Sequence, residues 1–411
     1  MLYLFLIYYT YILLSNRKSY VVVFLTLLQL ISVVAAILIK MELEIDSVSD
    51  VLCCMLMLFV NTSVITCWRK SSKVKKITGN SHRIEKIRKF FFVIMPFIWS
   101  ILFIVAVTVI SLVGDSINEF KYGDGNSTDF FYTMLPINVK WYILASILYQ
   151  LSYFMFPFHF YYLSRHEYKY AIICLFYSTS ILLFGATFFS RWTILQYFLL
   201  YITLFLVCKD TIAPTLIKKM RKVLFVTLIL FGVGFITISI TRFEDNTHYE
   251  KTIPSYSVIQ DPTLYSFCDY LGQANRNGLE VLKNYNGSTL LGGYTFDAVR
   301  STLSAFRIFP YDSEKYRAKR EVLFGAYSGG FTGLTAYSVM DYGIILTLIL
   351  FLLYAWYIPK HLRKIITFHD LCLIMCFVQI PICSMFYSWA STVCFLLFCY
   401  SFIYLYLYIK R

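Results

Sequence analysis

Charge is scarce in this sequence. Asp, Glu, Lys and Arg make up 15% of its 411 residues, against about 25% in an ordinary soluble domain, while 59% is hydrophobic and 19% aromatic. That deficit excludes a soluble globular protein and leaves a membrane protein. Nucleotide and hydrolase signatures are missing too: there is no Walker loop, dinucleotide fingerprint, G-x-S-x-G elbow or H-E-x-x-H pair. The cluster "SGGFTG" (328–333) is a lone glycine group and a weak phosphate cradle. Of the eleven cysteines, all but Cys268 lie in or beside apolar runs, which excludes a disulfide framework, and no Cys/His set has zinc spacing. Cys372 and Cys376 share a helix face as small packing residues. The first run, Met1 to Leu14, lacks a basic leader and a small-residue cleavage site, so no cleavable signal peptide is expected. The net charge of +14 does not imply nucleic acid, because the basic residues sit in short stretches between apolar runs.

What is present is long apolar runs. Roughly 20 such residues span a bilayer, and the runs predict helices near 1–14, 20–39, 48–67, 90–113, 141–163, 170–189, 192–207, 223–241, 337–358, 365–385 and 388–409. The fold class is therefore an all-α polytopic membrane protein of about eleven transmembrane helices. The connections test it through the preference of Lys and Arg for the cytoplasmic side. The stretches 15–19, 69–89, 164–169, 208–222, 359–364 and the terminal pair Lys410 and Arg411 together hold 23 Lys/Arg, whereas 40–47, 114–139 and 190–191 hold one each. The alternation puts the C-terminus in the cytoplasm. The basic run "RKSSKVKKITGNSHRIEKIRK" (69–89) has the composition of an anionic-lipid or nucleic-acid patch, but as a cytoplasmic loop it needs no partner. Trp68 and Trp356 fall near the inner boundary, and Trp141, Trp192 and Trp389 near the outer one, as an aromatic belt expects.

Residues 242–336 form one long outer loop, which divides the chain into N-terminal helices (1–241), the loop (242–336) and C-terminal helices (337–411). Loops of this length are usually functional or disordered, and the recurrent Tyr, Phe, Leu and Ile argue for order. "DPTLYSFCDYLGQANRNGLEVLKNY" (261–285) predicts a helix on the membrane surface, capped by Asp261 with Pro262 in the first turn and weakened at "GQANRNG". A second helix follows the Gly292–Gly293 turn. Arg191, at the outer turn before an apolar run, is either an interfacial anchor or an anion-gripping guanidinium. Asp341 lies at the outer end of the helix that ends near Pro359. Irregular backbone at membrane depth requires a protein-lined or wet cavity, so the polar stretch before Asp341 predicts an outer cavity, to which Arg276 and Arg300 would add positive charge. Arg307, Arg317, Lys319 and Arg320, balanced by acidic neighbours, are expected to be solvated, and His248 to be a surface residue. "NST" (126–128) and "NGS" (286–288) fit the glycosylation acceptor pattern.

The layout, with "SRWTILQ" (190–196), "GGYTF" (292–296) and "TAYSVMDYG" (335–343), resembles the O-antigen polymerases, the oligosaccharide repeat unit polymerases of bacterial surface-polysaccharide assembly. The resemblance implies a GT-C-like architecture in the inner membrane whose large loop is periplasmic and contains short helices. It implies transfer of the growing glycan from undecaprenyl diphosphate to a sugar hydroxyl of the next lipid-linked unit. Such a donor is already activated, so no cofactor and no metal is expected. The catalytic residues would be Arg191, stabilising the diphosphate leaving group, and Asp341, as the base; Arg276, Arg300, Tyr294, Thr335 and Tyr337 would bind substrate. Expected partners are the lipid-linked glycan donor and acceptor, membrane lipid, a chain-length regulator and a flippase, with no nucleic acid. The alternatives are an O-antigen ligase, a lipid-linked oligosaccharide flippase or transporter, and a non-catalytic assembly partner. Related ligases are expected to use a late-loop histidine, which is missing near "TAYSVMDYG", and the helices carry little charge at mid-depth, unlike those of transporters.

Overall fold

The computed structural model describes residues 1–113, 128–223, 225, 253–325, 330–386, 388 and 390–408. Most of the expected helix 223–241, residues 126 and 127 of the first glycosylation acceptor, His248, Trp389, Lys410 and Arg411 lie outside them. In chain order the helices are α1 (Leu2–Ser15), α2 (Tyr20–Leu38), α3 (Val48–Thr66), α4 (Ser81–Val113), α5 (Thr128–Thr133), α6 (Val139–Leu148), α7 (Met155–Ser164) and α8 (Tyr168–Ser178). They continue as α9 (Ser180–Thr187), α10 (Arg191–Cys208), α11 (Pro262–Lys283), α12 (Asp297–Ala305), α13 (Ser313–Phe324), α14 (Gly333–His361), α15 (Phe368–Cys383) and α16 (Ala390–Tyr408). Among the described residues, seven helical stretches are long and apolar enough to cross a membrane. A helix satisfies its own backbone hydrogen bonds, which is what hydrocarbon demands. The chain is accordingly helical, with large apolar side chains on its outside: Ile7 is 67% exposed, Val93 76% and Ile345 76%.

The chain divides into two compact units. The first comprises Met1–Val74, Lys218–Lys364 and Cys376–Phe395. There α11 is a single helix, capped by the Asp261 carboxylate accepting from Leu264 N at 2.7 Å. The "GQANRNG" stretch does not interrupt it. Small residues let its backbone press against neighbours: a Cβ on Gly272 would stand 3.0 Å from the Ala36 backbone, and one on Gly278 2.5 Å from the Thr332 carbonyl oxygen. Ser32, inside α2, donates to the Leu271 carbonyl at 2.8 Å and accepts from Asn275 at 3.1 Å. The helix expected to lie on the membrane surface is thus wedged against α2, α3 and α14. Trp68, assigned above to the aromatic belt, is fully buried and donates to the Tyr354 hydroxyl, whereas Trp356 is 62% exposed.

The second unit comprises Lys75–Ile217, Ile365–Met375 and Leu396–Arg411. Its α4 starts at Ser81, well before the expected 90, because charges do not break a helix. Asn80 accepts from Arg83 N at 3.2 Å, and Glu85 pairs with Arg88 at 3.5 Å and Lys89 at 3.2 Å along the same face. Arg88 is buried with its guanidinium 3.7 Å from the centre of the Tyr170 ring. Two three-residue strands, β1 (Lys76–Thr78) and β2 (Ile365–Thr367), pair in parallel, Lys76 opposite Ile365.

Contacts within each unit bear on the alternation of loops. In the second, Lys75 pairs with Asp210 and β1 with β2. In the first, Ser19 donates to the Trp68 carbonyl at 3.4 Å and Lys283 to the Glu44 carbonyl at 3.0 Å. Each contact joins stretches that the charge pattern assigns to one and the same face or places immediately beside such a stretch.

Candidate functional site

The site of the first unit is built where "GGYTF" meets "TAYSVMDYG". Helix α14 carries Asp341 two residues before Gly343, whose φ of 76° and ψ of 173° break the helical path. Only glycine adopts that backbone without strain. The residue count places Asp341 on the last turn before the break, with its carboxylate facing the 290–298 segment. Its Oδ1 accepts from Tyr294 N at 2.9 Å, and its Oδ2 from Thr295 N at 2.7 Å and Thr295 Oγ1 at 2.6 Å. Backbone bonds continue the junction, Leu290 N to the Met340 carbonyl at 2.8 Å and Gly292 N to the Asp341 carbonyl at 3.2 Å. Asp341 itself is 1% exposed. Three short bonds to a buried carboxylate make a strong clamp, and it holds a turn of the long segment against the helix.

Two tyrosines complete the junction. The Tyr294 and Tyr337 rings stack with centroids 4.6 Å apart and planes at 24°. Tyr294 donates its hydroxyl to the Ser388 carbonyl at 3.0 Å, and Tyr337 donates to the Gly330 carbonyl at 2.9 Å. Burial pushes the Tyr294 phenol well above its ordinary range, against the pull of the Arg320 charge. Ala298 N donates to Ser391 Oγ at 2.9 Å. The turn is therefore held on one side by α14 and on the other by residues at the start of α16.

Two cations, Arg300 and Arg320, act on this frame. Arg300, on α12, donates to the Tyr316 hydroxyl at 3.3 Å, and its guanidinium lies 5.9 Å from the Phe296 ring and 5.7 Å from the Tyr316 ring. Arg320, on α13, was expected in solvent; instead it is half-buried and its Nε is enclosed with no hydrogen-bond partner among the described residues. Its charge acts on Tyr294. Arg276, on α11, places a terminal nitrogen 3.5 Å from Asp269 and also buries an unpartnered Nε. Asp269 is pushed above the usual carboxylate range by burial, with Arg276 opposing. Thr335 is 2% exposed, and its hydroxyl has no partner among the described residues.

Comparison with known proteins returns no matching family model, curated protein or solved structure. The reading of the site therefore rests on its own geometry. The structure brings Tyr294, Tyr337 and Asp341 into direct contact, with Thr335 on the same helix and Arg300 on the adjoining one. Arg276 lies on α11, which packs against α14. Arg191 belongs to the second unit, as the first residue of α10, behind a Ser190 cap that accepts from Thr193 N at 3.4 Å.

Sequence reasoning missed two participants. Thr295 stands inside the quoted "GGYTF", and only the carboxylate opposite it reveals its part. Arg320 was discounted for the acids near it in sequence, Glu314 and Glu321, neither of which forms an ion pair with it.

Proposed function

We propose that the chain is a membrane glycosyltransferase that polymerises lipid-diphosphate-linked oligosaccharide units into a bacterial surface polysaccharide of the O-antigen kind. The observation that supports this reading is the junction itself. Two of the three short motifs that carry the resemblance lock together through Asp341, and the charges of Arg300 and Arg320 act on the lock.

In the proposed reaction a hydroxyl oxygen of the acceptor unit bonds to the anomeric carbon of the donor glycan. The bond from that carbon to the diphosphate oxygen breaks, and the lipid diphosphate leaves with the electron pair. Charge grows on the diphosphate as the bond breaks, and preorganised guanidinium donors in a water-poor site stabilise it. Arg300 and Arg320 are the residues of this unit suited to that task, with Arg276 as a third cation; Arg191 is assigned the same task by the resemblance and is tested separately. The acceptor proton passes to a base. Both carboxylate oxygens of Asp341 are occupied by Tyr294 and Thr295, so Asp341 acts as base only if Thr295 releases it. In the arrangement described it is a positioning residue, and the tyrosines, whose hydroxyls are committed to backbone carbonyls, belong to the same frame. The proposed setting is the inner membrane, with the 242–336 segment periplasmic and the C-terminus cytoplasmic.

The test is deletion in the native host, with surface polysaccharide separated on a gel. A polymerase deletion leaves lipid A core capped by a single repeat unit. Loss of every unit instead means ligase or flippase function and overturns the assignment.

A further inference from the structure

A second basic site lies in the first unit, away from the junction just described. Lys70 and Lys73, from the turn that follows α3, and Lys360 and Arg363, from the end of α14, line a cavity of about 640 Å³ with Trp356, Pro359 and Leu362. Among the described residues, no acidic one lines it. Lys360 Nζ stands 2.7 Å from the centre of the Trp356 ring, a cation–π pair, and Arg363 Nε donates to the Lys360 carbonyl at 2.6 Å. These contacts fix two of the four cations in place. The apolar side of the cavity continues along α14. Ile345, Ile349, Leu352 and Trp356, spaced four, three and four residues apart, are 76%, 47%, 54% and 62% exposed. They form one outward helix stripe that ends at Lys360.

A stripe of hydrocarbon-compatible side chains leading into a tetracationic hollow has the form of one ligand, an acyl chain joined to a phosphate. We propose that this cavity binds the headgroup of an anionic phospholipid, with its acyl chain along the Ile345–Trp356 stripe. The general preference of Lys and Arg for one membrane face accounts for their number in these loops. It does not account for a concave arrangement with Lys360 held on a tryptophan face. Polybasic segments gain about 1 kcal/mol per Lys or Arg from an anionic lipid surface, so each cation removed should weaken retention by about fivefold.

The full chain is reconstituted in phosphatidylcholine nanodiscs with graded phosphatidylglycerol, and retained lipid is measured by native mass spectrometry. Four variants are compared: Lys360→Gln; the quadruple K70Q/K73Q/K360Q/R363Q; Trp356→Ala, which keeps every charge; and the control K218Q/K219Q/R221Q/K222Q, which removes as many charges from residues 218–222. Expected is a preference of wild type for phosphatidylglycerol, reduced about fivefold in Lys360→Gln, abolished in the quadruple variant, weakened in Trp356→Ala and unchanged in the control. Equal losses in the quadruple and control variants would mean diffuse surface charge and overturn the site. So would unaltered retention in Trp356→Ala together with Lys360→Gln. Displacement of the lipid by millimolar inorganic phosphate or glycerol phosphate would assign the cavity to a free anion and overturn the lipid. None of these residues belongs to the junction around Asp341, so the outcome is independent of the proposed polymerase activity.

Discussion

Asp341 concentrates three hydrogen bonds on one buried carboxylate, and its replacement separates positioning from charge. Asp341→Ala leaves the Tyr294 and Thr295 amides without their acceptor, and an unpaired buried donor costs about 1–3 kcal/mol. The expected result is loss of polymer together with a lowered melting temperature in detergent. Thr295→Val removes the hydroxyl bond to a charged group, worth about 1.5–3 kcal/mol, and leaves Oδ2 with the backbone amide of residue 295 as its remaining donor. If the carboxylate only positions, Thr295→Val is destabilised and loses activity at every pH. If it becomes a base once released, the variant keeps turnover and shifts its pH profile. The arginines predict the converse pattern. Arg320→Gln and Arg300→Gln should abolish long chains while protein level and melting stay normal, and Arg191→Ala should reproduce the single-unit phenotype. Normal long chains in any of these variants remove that arginine from the mechanism. Arg320 was hidden in the sequence because neighbouring acids look like partners, whereas side-chain directions on α13 separate them. Thr295 was hidden because a threonine between an aromatic and a phenylalanine carries no signal until its acceptor is known.

Among the elements, hydropathy made most helices legible: α1, α2, α3, α6 with α7, α10 and α14 begin or end within a few residues of the apolar runs. The Asp261 cap and Pro262 start of α11 were legible as well, since capping is local chemistry. Three features were not. The onset of α4 at Ser81 was masked by a run of charges that form pairs along the helix. The β1–β2 ladder is too short to show any period. The glycines of α11 look like breakers, although their purpose is close approach to α2 and the residues before α14. Substitutions distinguish these roles. Gly272→Leu should overpack the α2–α11 crossing at a cost of about 1–3 kcal/mol, lowering the melting temperature, whereas a change at Gly287, which has open space around it but a φ of 91°, should strain its own turn and leave packing intact. Gly343→Ala forces a side chain into a backbone region essentially reserved for glycine, at about 1–3 kcal/mol, and drives its Cβ to 2.8 Å from the Tyr285 hydroxyl. It should uncouple the Asp341 clamp without touching its hydrogen-bonding groups; unchanged melting and activity would show the kink to be dispensable.

At the scale of the molecule, loops that touch must emerge on one face of the bilayer. Cysteine introduced at Glu44 or Lys283 should react with an impermeant thiol reagent added outside intact cells, and cysteine at Lys75 or Asp210 only after permeabilisation. The reverse pattern inverts the topology and removes the periplasmic setting on which the polymerase reading depends. The ladder between Lys76 and Ile365 carries a further consequence, for assembly. Its partners are 289 positions apart (365 minus 76), and at about 5–20 residues per second of synthesis the first strand waits on the order of 15–60 s for the second. The nascent second unit inserts with an unpaired edge, the kind that invites foreign strands. Chains stalled before residue 365 should therefore be recognised by quality-control proteases, and late truncations should lower abundance more than their few lost contacts would suggest.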